Sequence, residues 1–377
     1  MNTYNVIGLM SGTSLDGLDI AFCRFQFHQN QWVFEIRDCK TFAYNKTQSE
    51  KLRTAHTFSA MELMSLDAEL AHLYSEWILD FISDYKIKPD FISSHGHTVF
   101  HQPLKSKSDN KNIPFTTQIG SGAIIAALTG YDVISDFRTS DVALGGQGAP
   151  LVPIGDKMLF HQFDYCLNLG GIANISFDID EPVKGNVRIA SDICYANMAL
   201  NYVVAAKGLA YDDGGEYARK GKVDVNLLNA LNNLEFSKRP FPKSIGKEYF
   251  ENNVAPLFNK SPLSDEDKLS TCCEHIAVQL KNNLSKVTLN QKQKINSTPK
   301  ILVTGGGAYN DFLIELFRKN LTAEIIIPQK KIIEFKEALI FAFLGVLRFR
   351  GEVNVLSSVT GAKRDSCSGA IYKGKIA

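Results

Sequence analysis

The 377-residue sequence has no paired-cysteine spacing. Its seven cysteines, at 23, 39, 166, 194, 272, 273 and 367, form no CxxC pair. An odd count without framework spacing argues against a secreted disulfide scaffold and a structural zinc site. Long apolar runs are also missing. The strongest, Ala338 to Leu347, is about half the length that spans a bilayer. Neither sign of charge dominates, because 41 Lys and Arg face 40 Asp and Glu for a net +1. That balance excludes a generally basic, nucleic-acid-coating surface and an acidic tail, though not a local basic site. The opening MNTYNVIGLM has neither a basic n-region nor an extended apolar stretch, so no signal peptide is expected and the chain reads as a soluble protein of a reducing compartment.

What is present is a globular composition, 45% hydrophobic and 21% charged. At about 150 residues per domain the length suggests two domains, or three. Three segments share a design. Tyr4–Phe25 reads as strand, polar turn SGTSLDG, strand. Asp164–Phe177 reads as strand, Gly-Gly turn, strand. Lys300–Leu321 reads as strand, Gly-Gly-Gly turn and helix, with Phe312, Leu313, Leu316 and Phe317 at helical spacing. The first two are approximate copies about 160 residues apart, as a duplicated α/β domain would give. Helices are expected at Ser59–Tyr85, where Ser59 and Glu62 resemble a capping box, at Lys268–Val287 and at Glu334–Phe349. Met61 and Met64 read as a core stripe and Cys272-Cys273 as core packing. Strand pieces are expected at Phe91–Ser94 and Val133–Asp136. Polar loops are expected at 104–114 and 288–299.

The turns carry the chemistry. Ser11, Gly12, Thr13 and Ser14 offer backbone and hydroxyl donors to an anion, and Asp16 beside them suits a hydrated magnesium ion. This is not a Walker A loop, since no G-x-x-x-x-G-K-[ST] occurs and a strand follows. Gly170 and Gly171 with Asn174, and Gly305, Gly306 and Gly307 with Asn310, add two more glycine turns at strand ends. Glycine there permits positive φ and close approach to a ligand. Three such turns in this order suggest one nucleotide held between two lobes of an actin-like sugar-kinase core, with the helix after the third turn adding its dipole.

GLMSGTSLDGLDIA (8–21), SHGHTVFHQP (94–103), QIG (118–120), DFRTSDVALGGQGAPLVP (136–153), NLGGIANI (168–175), KSIGKEYF (243–250), VTGGGAYN (303–310), EALIFAF (337–343) and SVTGA (358–362) run in the order of the anhydro-N-acetylmuramic acid kinases, and the sequence resembles that family over almost its whole length. The resemblance implies an α/β, actin/hexokinase-like fold (the ASKHA class) with duplicated ribonuclease H-like domains and a central cleft. It implies lobes at 1–135 with 365–377 and at 136–364. It also implies ATP and Mg2+ as cofactors, an amino-sugar substrate, no nucleic-acid or membrane partner, a homodimer as an expectation, and a place in cytoplasmic cell-wall recycling. The implied reaction converts 1,6-anhydro-N-acetylmuramic acid and ATP to N-acetylmuramic acid 6-phosphate, with water opening the anhydro bridge. Alternatives are a kinase for another amino sugar, or a nucleotide- or sugar-binding paralogue without turnover.

The family's general base is the Asp of a DTGPGN motif. Here the aligned stretch reads ASDICYANMALN (190–201), so Asp192 falls on the base and Asn197 on the motif's Asn, while Cys194-Tyr195-Ala196 replaces Gly-Pro-Gly. Either the loop takes a different path, or those glycines never stood at positive φ. His95, His97 and His101 form an H-x-H-x-x-x-H set. On a strand, 95 and 97 would share one face, but a zinc site would need a fourth partner. The family commonly carries Gln at the place of His97, so the resemblance makes His95 and His97 polar cleft lining. Arg138, Asp141, Gln147 and Glu337 are the remaining sugar-binding candidates, with Arg138 able to brace a carboxylate.

Overall fold

The computed structural model describes residues 3–12, 14–103, 113–181, 183, 185–290 and 298–375. Thr13 lies outside them, as does most of both polar stretches expected as loops (104–112 and 291–297). The chain divides into two compact units, Met1–Leu159 with Phe335–Ala377, and Phe160–Glu334. These boundaries differ from those the sequence suggests. Residues 136–159 and 335–364 belong to the first unit because they are tied to one another and to its sheet. Thr360 Oγ1 donates to Asp141 Oδ1 at 2.7 Å, and Ser93 Oγ donates to the Phe341 carbonyl at 2.5 Å.

Unit 1 contains β1 (Thr3–Ser11), β2 (Gly17–His28), β3 (Gln31–Ala43), β4 (Phe91–Gln102), β5 (Phe115–Ile119) and β6 (Val133–Ser135). Unit 2 contains β7 (Tyr165–Leu169), β8 (Ile172–Glu181), β9 (Gly185–Tyr195), β10 (Lys300–Thr304) and β11 (Glu324–Ile326). The last strand, β12 (Ala370–Tyr372), returns to unit 1 and pairs antiparallel with β6. The sheets run β12-β6-β4-β1-β2-β3, with β5 beside β4, and β11-β10-β7-β8-β9. In each, an antiparallel three-strand meander is extended by two strands parallel to its first member. The order β3-β2-β1-β4-β6 therefore repeats as β9-β8-β7-β10-β11. This is the ribonuclease H-like sheet, present twice, and it makes the chain an α/β protein of the actin/hexokinase-like class.

The central strands are buried on both faces, as parallel neighbours covered by helices require. In unit 1 the Ala60–Tyr85 helix begins with the expected capping box of Ser59 and Glu62. It buries Leu66, Leu70, Tyr74, Ile78 and Phe81 against one face of the sheet. Met61 and Met64 do not join that stripe. They are 83% and 63% exposed, because the buried face starts a turn later. The other face carries the 335–350 part of the Lys330–Arg350 helix. A Cβ on Gly8 would sit 2.0 Å from the Ala338 carbonyl oxygen, so only glycine lets that helix lie so close to β1. In unit 2 the Asp265–Asn290 helix buries Cys272, Cys273, Ile276 and Leu280, and the Asp311–Asn320 helix buries Leu313, Ile314 and Phe317, in one core with β7 and β10. No helix among the described residues is long and apolar enough to cross a membrane.

Candidate functional site

In both units the residues of interest gather at the carboxyl ends of parallel strands, where open α/β sheets bind ligands. In unit 1 these are the end of β1 and the β4 residues beside it. The turn after β1 holds exposed Ser14 and Asp16, with Ser14 Oγ donating to Asp16 Oδ1 at 2.7 Å. Leu15 stands at φ 59, a strained value for a branched side chain, and is pinned by Ser49 Oγ, which donates to its carbonyl at 3.0 Å. A Cβ on Gly12 would meet only Ser14, with Oγ at 3.5 Å, so the backbone there is open to a ligand. Ser11 differs from the expectation in one respect. Its side chain is 2% exposed and its Oγ lies between Tyr44 Oη at 2.8 Å and His97 Nδ1 at 3.0 Å, so the hydroxyl serves the protein's own network.

His95 and His97 do not share a face. Gly96 sits at φ 74, and the β1–β4 register shifts between Leu9 and Ser11, so the strand's alternation is broken between the two histidines. His95 packs on the Phe341 ring at 4.5 Å. Its Nδ1 faces the Gly96 carbonyl at 2.8 Å and its Nε2 accepts from Arg138 Nε at 3.0 Å. Burial and the adjacent Arg138 cation hold it well below the usual imidazole range. His97 turns the other way, to Ser11, and burial lowers it to about 4. Both imidazoles are therefore neutral near pH 7. Among the described residues no three His, Cys, Asp or Glu side chains group as metal ligands.

Arg138 also donates from Nη1 to the Gly148 carbonyl at 2.6 Å, which fixes its guanidinium. Burial lowers it to about 10, opposed by the charge of Glu337. Glu337 is reached by solvent yet closely surrounded by protein, and lost hydration raises its carboxyl despite Arg138 and Lys336. Asp141 is not a ligand-facing residue. It is 0% exposed, and both carboxylate oxygens are used internally, by Gly148 N at 2.7 Å and Thr360 Oγ1 at 2.7 Å. It holds the Gly145–Gly148 loop, on which Gln147 is exposed and its N–H donates to the Thr360 carbonyl at 2.8 Å.

In unit 2 the Gly170-Gly171 turn follows β7 and the Gly305–Gly307 turn follows β10, its parallel neighbour. Asn168 and Asn197 knit them together. A Cβ on Gly305, at φ 80, would lie 2.6 Å from Asn168 Oδ1. Asn197 donates from Nδ2 to the Leu169 carbonyl at 2.9 Å and from its N–H to the Gly170 carbonyl at 3.1 Å. Gly171 and Gly306 face open space, their added Cβ atoms meeting only Met198 and Asn197 at 3.6 Å or beyond. Asn310 is a helix cap, its Oδ1 accepting from Leu313 N at 2.9 Å, so that oxygen is not available to a nucleotide. Asn174 stands opposite Asp192 across β8 and β9.

Asp192 is held by two devices. A bulge at Ile193 sets Asp192 opposite Asn174 and Cys194 opposite Ala173. The 243–245 segment then clamps it, as Asp192 N donates to the Lys243 carbonyl at 2.9 Å and Ile245 N donates to Asp192 Oδ2 at 2.9 Å. Burial raises the Asp192 carboxyl, partly offset by Ile245 N, Ser244 and Lys243. Lys243 is itself buried, lowered to about 8 by desolvation, and donates to the Phe236 carbonyl at 3.0 Å. Nothing but the KSIGKEYF stretch pointed to it in the sequence. Cys194 and Tyr195 simply continue β9, and Ala196 has φ −116, so no residue of the replaced Gly-Pro-Gly needs positive φ. Tyr195 is anchored in the core, its hydroxyl donating to the Gly246 carbonyl at 2.6 Å and its ring 5.1 Å from that of Phe250.

The chain matches the profile of the family described as Anhydro-N-acetylmuramic acid kinase over residues 4–374. It is 34% identical to the anhydro-N-acetylmuramic acid kinase of Aliivibrio fischeri, covering 97% of this chain and 98% of that one. It is 35% identical to that of Pasteurella multocida, covering 98% and 97%. Component A of the (R)-2-hydroxyglutaryl-CoA dehydratase of Acidaminococcus fermentans, a solved structure, aligns at TM-score 0.44 and 12% identity over 90% of this chain and 96% of that one. The fold assignment rests on the repeated sheet order instead. Matched from end to end by the profile and by full-length relatives, this chain belongs to the anhydro-N-acetylmuramic acid kinase family.

Proposed function

We propose that the protein phosphorylates 1,6-anhydro-N-acetylmuramic acid with ATP and water to give N-acetylmuramic acid 6-phosphate and ADP, in cell-wall recycling. The observation that carries this reading is Asp192, a family-motif carboxylate whose burial raises it and which is held by the backbone donor Ile245 N. Asp192 takes a proton from the attacking water, whose oxygen bonds to the anomeric carbon as the bond from that carbon to O6 breaks. O6 then carries the electron pair that attacks the γ-phosphorus of ATP, and ADP leaves.

The residues present fit a nucleotide. Added Cβ atoms on Gly12, Gly171 and Gly306 would meet no atom closer than 3.5 Å, so these turns are not crowded at the glycines and their N–H groups are the proposed donors to phosphate oxygens. In this role Ser14, Gly12, Gly170, Gly171 and Gly305–Gly307 hold the phosphates. Asp16, exposed and with only one oxygen receiving Ser14, suits a hydrated Mg2+, which supplies charge neutralisation at the phosphates when bound. Arg138, fixed by His95 and Gly148, presents a cation to the lactyl carboxylate, with Glu337, His97 and Gln147 as further sugar contacts, while His95, both ring nitrogens engaged, acts through Arg138.

The test is ADP release that depends on the anhydro sugar, with the product identified by mass. Asp192→Asn keeps an acceptor for Ile245 N, so the fold should survive while kcat falls about 10²–10⁴-fold. Wild-type-like activity in that variant would remove Asp192 as the base. A wild type inert on this sugar would remove the reading.

A further inference from the structure

Three hydroxyls stand in line behind the first glycine turn. Tyr74 Oη meets Tyr44 Oη at 2.6 Å, Tyr44 Oη meets Ser11 Oγ at 2.8 Å, and Ser11 Oγ meets His97 Nδ1 at 3.0 Å. Tyr74 is 0% exposed, Ser11 2% and His97 3%. The line has three hydrogen bonds. Each hydroxyl brings one hydrogen, so the three hydroxyls fill the three bonds. A hydrogen on His97 Nδ1 would make four hydrogens for three bonds, leaving the buried Tyr74 O–H only its approach to Ser11, which is not a well-formed hydrogen bond. An unmet buried donor is costly. The count therefore leaves Nδ1 bare.

We propose that Tyr74, Tyr44 and Ser11 form a polarised line that fixes His97 as the Nε2–H tautomer, a permanent donor to an acceptor oxygen of the bound ligand. Nε2 has no hydrogen-bond partner among the described residues, and His97 lies within β4 opposite Ser11, the last residue of β1, beside the turn that follows. His97 is neutral near pH 7, and burial lifts the Tyr44 hydroxyl to about 12 and that of Tyr74 well above its usual value, so every hydrogen in the count is in place. A glutamine at this position would donate the same way without a tautomer to fix. Tyr44 and Tyr74 are thus positioning residues. They act through Ser11 on a group at the site. The ligand role rests on the kinase reading above, whereas the tautomer does not.

The full-length protein, labelled with 15N-histidine and free of ligand at pH 7, gives the tautomer from long-range proton–nitrogen correlations. His97 is assigned by the signals lost in His97→Gln. The expected pattern is a protonated Nε2 and a bare Nδ1. Tyr44→Phe cuts the line and should yield a mixture of tautomers, with kcat/KM lowered roughly threefold to tenfold, the scale of one hydrogen bond. Ser11→Ala, a smaller change, should do the same if Tyr44→Phe fails to fold. A KM rise for ATP alone names a phosphate oxygen as the acceptor, and a rise for the sugar alone names a sugar oxygen. A protonated Nδ1 in the wild type, or an unchanged tautomer in both variants, would overturn the line. A released tautomer with both co-substrates' constants unchanged would overturn the donor role. A wild type without kinase activity would fail the kinase reading and leave the tautomer result standing.

Discussion

Replacing Gly96 with alanine tests what separates the two histidines. Gly96 has φ 74, and an added Cβ would lie 2.7 Å from the Ile119 carbonyl oxygen and 3.2 Å from Gln118 Cβ. Two costs follow. An alanine in the left-handed region loses about 1–2 kcal/mol. The contact with β5 is below any real Cβ distance and involves backbone, so it adds about 1–3 kcal/mol of overpacking strain. Gly351 provides the control. It belongs to the same unit, has φ 73, and would meet nothing within 4 Å. Gly351→Ala therefore bears only the conformational cost. Urea unfolding should rank wild type above Gly351→Ala above Gly96→Ala, with the last two separated by about 1–3 kcal/mol. Any relief of Gly96→Ala toward ordinary strand geometry would also turn His97 away from Ser11. The variant should then lose sugar-dependent ADP release at temperatures where it is still folded. Equal midpoints for the two alanine variants, with full activity in Gly96→Ala, would refute the account of this bulge.

Three further outcomes are expected. Asp141→Ala strands Gly148 N and Thr360 Oγ1 in a site that is 0% exposed, so it should destabilise by about 1–3 kcal/mol per stranded donor in urea melts, against a change under 0.5 kcal/mol if Asp141 were a solvated cleft residue. Tyr195→Pro restores the family's proline but removes a ring from the core and the hydroxyl bond to Gly246, and should cost about 3–5 kcal/mol with no gain in activity. Acid should destabilise the fold through His97 and His275, both lowered to about 4 by burial. The unfolded chain takes their protons near pH 6.5. Their stabilising neutrality is therefore complete above about pH 6.5 and lost as pH falls toward 4, with at most about 3 kcal/mol each. His97→Gln should flatten the pH dependence of the urea midpoint in that window, and an identical slope would contradict the His97 contribution.

The glycine turns, the hairpins around them and the capped Ala60–Tyr85 helix were legible because each is local. A turn residue, an alternation or a cap acts within a few positions. The family motifs likewise located Asp192. Other features depend on residues far apart in the chain. Asp141 reads as a ligand residue until Gly148 and Thr360 are seen to consume its oxygens. Asn310 is a local exception in the other direction, since its Oδ1 caps the helix that follows it. Tyr44 and Tyr74 carry no motif, and only the packing of a helix on the sheet brings their hydroxyls to Ser11.

Short-range patterning and turn chemistry suffice for the family, the duplicated α/β plan and the positions of the strand-end turns, since each is written within a few neighbouring residues. Where the units divide, which face each histidine takes, and that none of Cys194, Tyr195 and Ala196 stands at positive φ emerge only from the assembled fold. The physical reason is that burial and hydrogen-bond satisfaction are settled by neighbours distant in the chain. One positive-φ glycine, Gly96, changes the face of every residue after it in a way no period-two pattern records.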